Sequence, residues 1–230
     1  MSVNRKVWIV AGALCLAAVS AQAGLWGNKG PSFKEKVAAL AAAGKTIPVV
    51  YLATDFEAVS VTPPSIMESA LFKAPAPADF AAPVDEVVKA LNAGFGVEAF
   101  KAVAADKVPT KESKVWGKVP DWAAADFEVY VAVRETGKYV ATLASATGKK
   151  SVKLILRGEV ELMENVVDKK GVKESDSIKT LRASASSAAA PLDKVPAQLA
   201  DCSAAVPAGS VQPELTKKLL EEIADFAKKK

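Results

Sequence analysis

Apolar and polar residues alternate from Phe127 onward, and this alternation constrains the fold more than any other feature of the sequence. It predicts a half-buried strand over 127–134, because every second residue of a strand faces the same side of a sheet. Thr136-Gly137 and 148–150 have the composition of turns, and the apolar runs 138–146 and 152–163 follow them. Three consecutive strands joined by short turns predict an antiparallel meander.

The segment upstream of the meander combines helix and strand patterns. Ser32 and Glu35 have capping-box spacing, which predicts a helix from there to about Ala43. The β-branched run 47–61 predicts a buried strand with an extension, and the short run 97–103 favours a further strand over a helical turn. Between these two runs, the prolines of 65–82 predict an irregular connection, and 84–91 has the apolar spacing of a helix.

The segment downstream of the meander changes composition. Serine, alanine and spaced prolines fill about 172–212, which predicts a flexible or loosely packed crossing. Apolar residues then recur at helical spacing over 213–229, which predicts an amphipathic helix packed on the sheet, with docking on a membrane or partner as the alternative. The sequence therefore predicts a single α/β domain over 24–230, in which helices pack against a mixed sheet that includes the meander.

The first 23 residues have the pattern of a secretory signal peptide. Arg5 and Lys6 form a basic start, 7–19 is an uncharged apolar run, and Ala21-Gln22-Ala23 places small residues where a signal peptidase cleaves. A membrane anchor is the alternative, but it needs about 20 apolar residues. We expect cleavage before Gly24, export to the periplasm or the medium, and no stable membrane span in the mature chain.

Composition excludes several kinds of chemistry. Removal of Arg5 and Lys6 with the signal leaves 28 basic and 26 acidic residues, a net charge of +2, so we expect no nucleic-acid partner. The chain contains no histidine, which removes a member from Ser-His-Asp, Cys-His and histidine-metal sites. We expect no cofactor and no metal. Cys202 is the only cysteine left in the mature chain, and we expect it to be buried rather than bridged to another chain.

The segment 105–126 is the candidate binding surface, because lysines and tryptophans alternate there around two prolines. An exposed indole stacks on sugars or anchors a protein partner, and neighbouring lysines attract anions. The partner would be an envelope protein or a glycan. In the alternative, both indoles pack onto the core and the lysines are only solvated. The predicted partner-binding residues are Trp116, Trp122, Lys111, Lys114 and Lys118.

Two further hypotheses concern other classes of protein. Asp121, Asp126 and Glu128 lie near Trp122 in sequence, and two carboxyl groups facing each other across a cleft would support a hydrolase acting on cell-wall glycan. A raised pKa at one of the two acids would strengthen that hypothesis. A carrier of an apolar ligand would instead need the meander strands to enclose a cavity.

The order of elements resembles that of small periplasmic α/β accessory domains, such as the amino-terminal domain of TolB and the soluble domains of envelope lipoproteins of the CsgG and LpoB kind. Three segments carry the resemblance, 47–56, 84–103 and 129–167. This chain departs from the lipoproteins because it has no usable lipobox. The resemblance implies an exported, periplasmic module that binds other envelope components without catalysing a reaction, and it transfers no functional residue.

Overall fold

A curled mixed sheet forms the centre of the fold. The computed structural model describes residues 31–52, 55–62, 67–114, 117–144 and 147–229, and Phe33–Lys230 forms one compact unit. Within the described residues the sheet contains β1 (Ile47–Leu52), β2 (Asp55–Val61), β3 (Glu68–Pro75), β4 (Phe100–Val103), β7 (Val129–Leu143), β8 (Lys150–Val167), β9 (Lys173–Ser186) and β10 (Ala190–Pro191). A separate antiparallel hairpin consists of β5 (Thr110–Ser113) and β6 (Gly117–Pro120).

Four α-helices accompany the sheet in the described part of the chain. They are α1 (Phe33–Ala42), α2 (Val84–Phe95), α3 (Leu199–Ala205) and α4 (Gln212–Lys228), and short 3₁₀ turns occur at Ala105–Lys107 and Ala208–Ser210. The α/β fold with a mixed sheet and a C-terminal amphipathic helix is therefore confirmed.

Strand β7 organises the sheet because it has neighbours along both of its edges. On one edge β1 pairs with its first half in parallel, with Val49 opposite Val131, and β2 pairs with its second half in parallel, with Phe56 opposite Gly137. On the other edge β8 pairs with it antiparallel over its whole length. The run 47–61 therefore forms two successive strands beside β7 rather than one strand with an extension.

The predicted turn at Thr136-Gly137 is wrong, because β7 runs through both residues as one 15-residue strand. The glycine serves close packing instead. A Cβ at Gly137 would overlap the ring of Phe56, which lies directly over this backbone. The glycine that suggested a turn is instead needed within the strand, because a side chain at this position would collide with Phe56.

Other boundaries differ from the sequence predictions as well. The meander exists, but its three strands are β7, β8 and β9. The serine- and alanine-rich segment 172–212 therefore contains the long strand β9 and the helix α3 instead of a loose crossing. The stretch 65–82 contains β3, which pairs with β2. The predicted strand at 97–103 begins only at Phe100.

The core lies between one face of the sheet and the helices. Helix α4 packs against β8, β9 and α2, and its buried apolar residues are Leu215, Leu219, Ile223 and Ala227. At the other end of the helices, Phe33 of α1 contacts Phe95 of α2 and Phe226 of α4, with ring centroids 5.6 and 6.3 Å apart. These contacts fix α1, α2 and α4 together at their shared end.

Cys202 lies on α3 and is fully buried, as the sequence predicted. Burial raises the pKa of its thiol to about 11, with a smaller contribution from the neighbouring charge of Asp201. No helix among the described residues is both long enough and apolar enough to span a membrane.

Candidate functional site

Glu135 lies on the core-facing side of β7, between Val133 and Gly137. It is 1% exposed, and neither carboxylate oxygen has a hydrogen-bond partner among the residues that the structure describes. Gly158 of β8 lies opposite it in the ladder and offers no side chain. A buried carboxyl group without a partner is costly for a fold and is rare in native proteins. Such a group is therefore a candidate for a function.

Burial raises the pKa of the Glu135 carboxyl from its ordinary value of 4.5 to about 7. The side chain of Gln212 lies close enough to oppose part of this shift. The amide of Gln212 is hydrogen-bonded to the backbone of Ala81, and among the described residues neither oxygen of Glu135 meets the geometry of a hydrogen bond, so the Gln212 amide favours the ionised carboxyl only weakly. The effect of burial thus outweighs the partial stabilisation that Gln212 gives to the ionised carboxyl.

Gln212 is the first residue of α4 and fastens this helix to the segment before α2. Its Nε2 donates a hydrogen bond to the carbonyl oxygen of Ala81, and its Oε1 accepts one from the Ala81 N–H at 3.1 Å. We call these two hydrogen bonds the clamp. Gln212 itself is 7% exposed and lies beside Glu135.

A groove of about 760 Å³ lies beside the clamp, between the start of α2 and the first three turns of α4. Gln212 and Gly209 contribute to its lining. The helices are closest at their other ends, where a Cβ on Gly94 would lie 2.9 Å from the Cβ of Ala227. The apolar lining residues are Ala81, Ala82, Pro83, Pro213, Leu220 and Ala224. Asp79, Glu86 and Glu221 supply acidic groups and Lys217 one basic group.

Packing from the sheet supports the groove. The Phe56 ring, which lies over Gly137, makes an edge-to-face contact with Phe80 at a centroid distance of 5.2 Å. The carboxylate Oδ2 of Asp79 accepts a hydrogen bond from the Gly209 N–H at 2.9 Å, which joins the segment before α2 to the turn before α4. Both walls of the groove are thus held in place by specific contacts.

Tyr139 fixes the chain behind the groove. Its hydroxyl donates a hydrogen bond to the carbonyl oxygen of Val206 at 3.0 Å, and burial raises its pKa above the ordinary range. The charge of Asp79 acts in the same direction. The phenol therefore stays neutral and acts as a structural donor.

The residues of the predicted binding surface differ in exposure and contacts. Trp122 is half-buried and stacks on Tyr130, with ring centroids 4.6 Å apart and an interplanar angle of 17°. Lys111 is exposed and forms an ion pair with Asp121 at 3.4 Å, while Lys114 and Lys118 are exposed. Trp116 lies outside the described residues. The predicted surface remains a prediction.

The carboxylates of the hydrolase hypothesis have different surroundings. Asp121 faces Lys111, and Glu128 forms an ion pair with Lys45. Asp126 is exposed. Glu135, whose pKa is raised, has no second carboxylate among the groups that shift it.

Sequence reasoning missed Glu135 because the first meander strand was ended at Arg134. The signal was nevertheless present: Val131, Val133 and Glu135 continue one alternation, so the glutamate occupies a position that the pattern reserves for apolar residues. Gln212 and Ala81 are brought together only by tertiary packing, and no local pattern connects them.

Among the described residues, no group of three or more cysteine, aspartate or glutamate side chains is placed to hold a metal ion. No protein-family model and no curated protein sequence matches the chain. Protein XCC0632 from Xanthomonas campestris, of the family DUF330, is similar in structure with a TM-score of 0.25 and 9% identity, over 79% of this chain and 83% of its own. A neuraminyllactose-binding hemagglutinin homolog from Helicobacter pylori has a TM-score of 0.22 and 11% identity, over 79% of each chain. These distant likenesses carry no inference about function.

Proposed function

We propose that this protein is an exported, periplasmic, non-catalytic binding protein of the cell envelope, and that it holds an apolar ligand in the groove between α2 and α4. The observation that carries the proposal is the groove itself. Its volume of about 760 Å³ falls within the range of small-molecule sites, and such sites are mainly apolar with a few polar groups.

The groove suits a ligand better than the meander does. The carrier hypothesis needed a cavity enclosed by the meander strands, but α4 packs on them so closely that a Cβ at Gly158 would lie 2.5 Å from Leu219 Cδ1. The space for a ligand lies on the outer side of α4, where Leu220 and Ala224 face the groove. We therefore place the ligand site in the groove between α2 and α4 rather than within the sheet.

Binding accounts for the chemistry of the site better than hydrolysis does. Glycoside hydrolysis uses two carboxyl groups flanking the scissile bond, about 5 to 10 Å apart. Glu135 lies behind Gln212 rather than in the lining of the groove. A single buried acid of raised pKa supports recognition of a ligand group, not an acid–base pair.

A titration with N-phenyl-1-naphthylamine, a neutral apolar fluorophore, tests the groove. We expect saturable enhancement of its fluorescence by the mature protein. Ala224→Trp fills the groove and should weaken binding at least tenfold. Ala39→Trp, the matched control on the exposed side of α1, should leave the affinity unchanged. Equal affinities in both variants would contradict the location of the site.

The loop with Trp122 is a second candidate surface, for an anionic envelope partner. Stacking on Tyr130 fixes the indole in one orientation, and exposed lysines stand beside it in sequence. Capture of envelope extract on the immobilised protein tests this surface. We expect a defined partner that is lost from a Trp116→Ala, Trp122→Ala variant and is still captured by Ala224→Trp.

A further inference from the structure

We propose that the groove selects a cationic amphiphile, a molecule with an apolar chain and a protonated amine, and that the amine pairs with Glu135 when the Gln212 side chain moves aside. This inference names the ligand class of the groove and therefore rests on the proposed function. The charge at the rim and the missing partner of a buried carboxyl group support it independently.

The rim of the groove is acidic. Asp79, Glu86 and Glu221 contribute three carboxylates, and Lys217 contributes one ammonium group. Lys217 Nζ lies 4.0 Å from a carboxylate oxygen of Glu221, so this cation is already beside an acid of its own helix. The excess of negative charge favours a positive group at the mouth of the groove and disfavours a fatty acid or a phosphate.

Glu135 is the buried group that would pair with the amine of the ligand. In the described part of the chain, no charged side chain is among the groups that shift the pKa of Glu135. From the other elements, Phe56 of β2 lies over Gly137, Leu219 of α4 covers Gly158, and Gln212 of α4 lies beside the carboxyl group. Tyr139 lies further along this face of β7 and stays neutral, and the charges that act on it come from Asp79 and Cys202. An ionised Glu135 therefore has no internal cation, and a ligand amine would supply one.

Gln212 separates the two features. It lines the groove on one side and lies beside Glu135 on the other. Its hydrogen bonds to Ala81 hold the side chain in this place. A rotation about its side-chain bonds would exchange those two bonds for an open path, while the helix that carries Gln212 stays packed through Leu215 and Leu219. The amide thus serves as a small gate between the groove and the carboxyl group.

Proton release gives the inference a distinct signature. At pH 6 the Glu135 carboxyl is mostly protonated, because burial raises its pKa to about 7. Pairing with a cation requires the ionised form, so Glu135 loses its proton to solvent while the amine keeps its own. Binding of a cationic amphiphile at pH 6 should therefore release close to one proton, and binding of a neutral one should release none.

Calorimetry with three ligands of equal chain length tests this signature. Dodecylamine, dodecanol and dodecanoate are titrated below their aggregation limits at pH 6, each in two buffers of different ionisation enthalpy. We expect dodecylamine to bind at least tenfold more tightly than dodecanol, with proton release, and dodecanoate to bind most weakly. Glu135→Gln should abolish proton release and weaken dodecylamine binding, leaving only the preference over dodecanol that the rim carboxylates supply. Glu112→Gln, at an exposed strand position, should change neither.

The outcomes separate this inference from the proposed function. Failure of all three ligands to bind wild-type protein would overturn both. Equal binding of amine and alcohol, without proton release, would overturn the inference and leave the groove as an apolar site. Tighter binding of the amine without proton release would place charge recognition at the rim carboxylates and would also overturn the pairing with Glu135. The wild-type comparison needs no variant, so it stands even where a variant folds poorly.

Discussion

Glu135 of β7 lies directly opposite Gly158 of β8, so the ladder position facing the buried carboxyl group carries no side chain. Leu219 of α4 occupies the space above that glycine. Neither the neighbouring strand nor the packed helix can therefore donate a hydrogen bond to the carboxylate from this position. Burial of the ionised Glu135 carboxylate therefore destabilises the folded state.

The stability of the protein should decrease as the pH rises from about 4.5 to about 7. The folded state holds the Glu135 proton up to a pKa of about 7, whereas the unfolded chain releases it near 4.5, so the stabilising proton is lost over this interval. The difference in unfolding free energy between wild type and Glu135→Gln should shift by about 3 kcal/mol in favour of the variant between pH 4 and pH 8. Urea denaturation at both pH values measures this shift.

Glu112→Gln provides the matched control for that measurement. Glu112 is exposed on β5, and its replacement should change the unfolding free energy equally at both pH values. A constant difference between wild type and Glu135→Gln across the pH range would contradict a raised pKa at Glu135.

Gly137→Ala should destabilise the fold although it lies within a strand, where alanine is otherwise tolerated. The added methyl group would overlap the Phe56 ring, and overpacking of this kind costs about 1–3 kcal/mol. Thermal unfolding of Gly137→Ala, Phe56→Leu and the double variant checks the contact. The double variant should lose less than the sum of the single losses. Strict additivity would mean that the two sites do not touch.

The thiol of Cys202 should be unreactive in the native protein at pH 8. The residue is fully buried, and its pKa of about 11 leaves very little thiolate. Ellman's reagent should modify it only after unfolding in urea. In an Ala204→Cys variant, which adds an exposed thiol to the same helix, one thiol should react at once and the other should not. Rapid reaction of both would place Cys202 at the surface.

The mature protein should begin at Gly24. Expression of the full chain followed by osmotic release of periplasmic contents should yield a protein whose N-terminal sequence starts with Gly24-Leu25-Trp26. Replacement of Ala21 and Ala23 by phenylalanine should block processing, because the peptidase accepts only small residues there. An intact Met1 in wild-type released protein would contradict a cleaved signal.

Local pattern was sufficient for the amphipathic helices. Helix α4 followed from its apolar stripe, and α2 from its spacing, since both periodicities report the face that packs on the sheet. Strand β9 could not be predicted in this way. It is mostly polar with small residues only at its end, and it is ordered by pairing with β8 and by the approach of α4, as in the hydrogen bond from Lys218 Nζ to the Ser184 carbonyl oxygen at 3.1 Å.

Part of the candidate site could be predicted from the sequence. Glu135 interrupts an apolar alternation, which marks a buried carboxyl group once β7 is read as continuous through Gly137. The clamp from Gln212 to Ala81 spans 131 residues and depends on how α4 docks, so it appears only in the folded chain. The groove also depends on how α4 docks, because one wall comes from the start of α2 and the other from α4.

Photo-crosslinking tests the central claim most directly. A dodecylamine derivative with a diazirine on its alkyl chain is bound to the mature protein, irradiated, and mapped by peptide mass spectrometry. The account predicts adducts on the peptides that contain 79–86 and 212–224, lost in Ala224→Trp and retained in Ala39→Trp. Adducts confined to the loop around Trp122, or adducts on α4 that persist in Ala224→Trp, would contradict a ligand site in the groove.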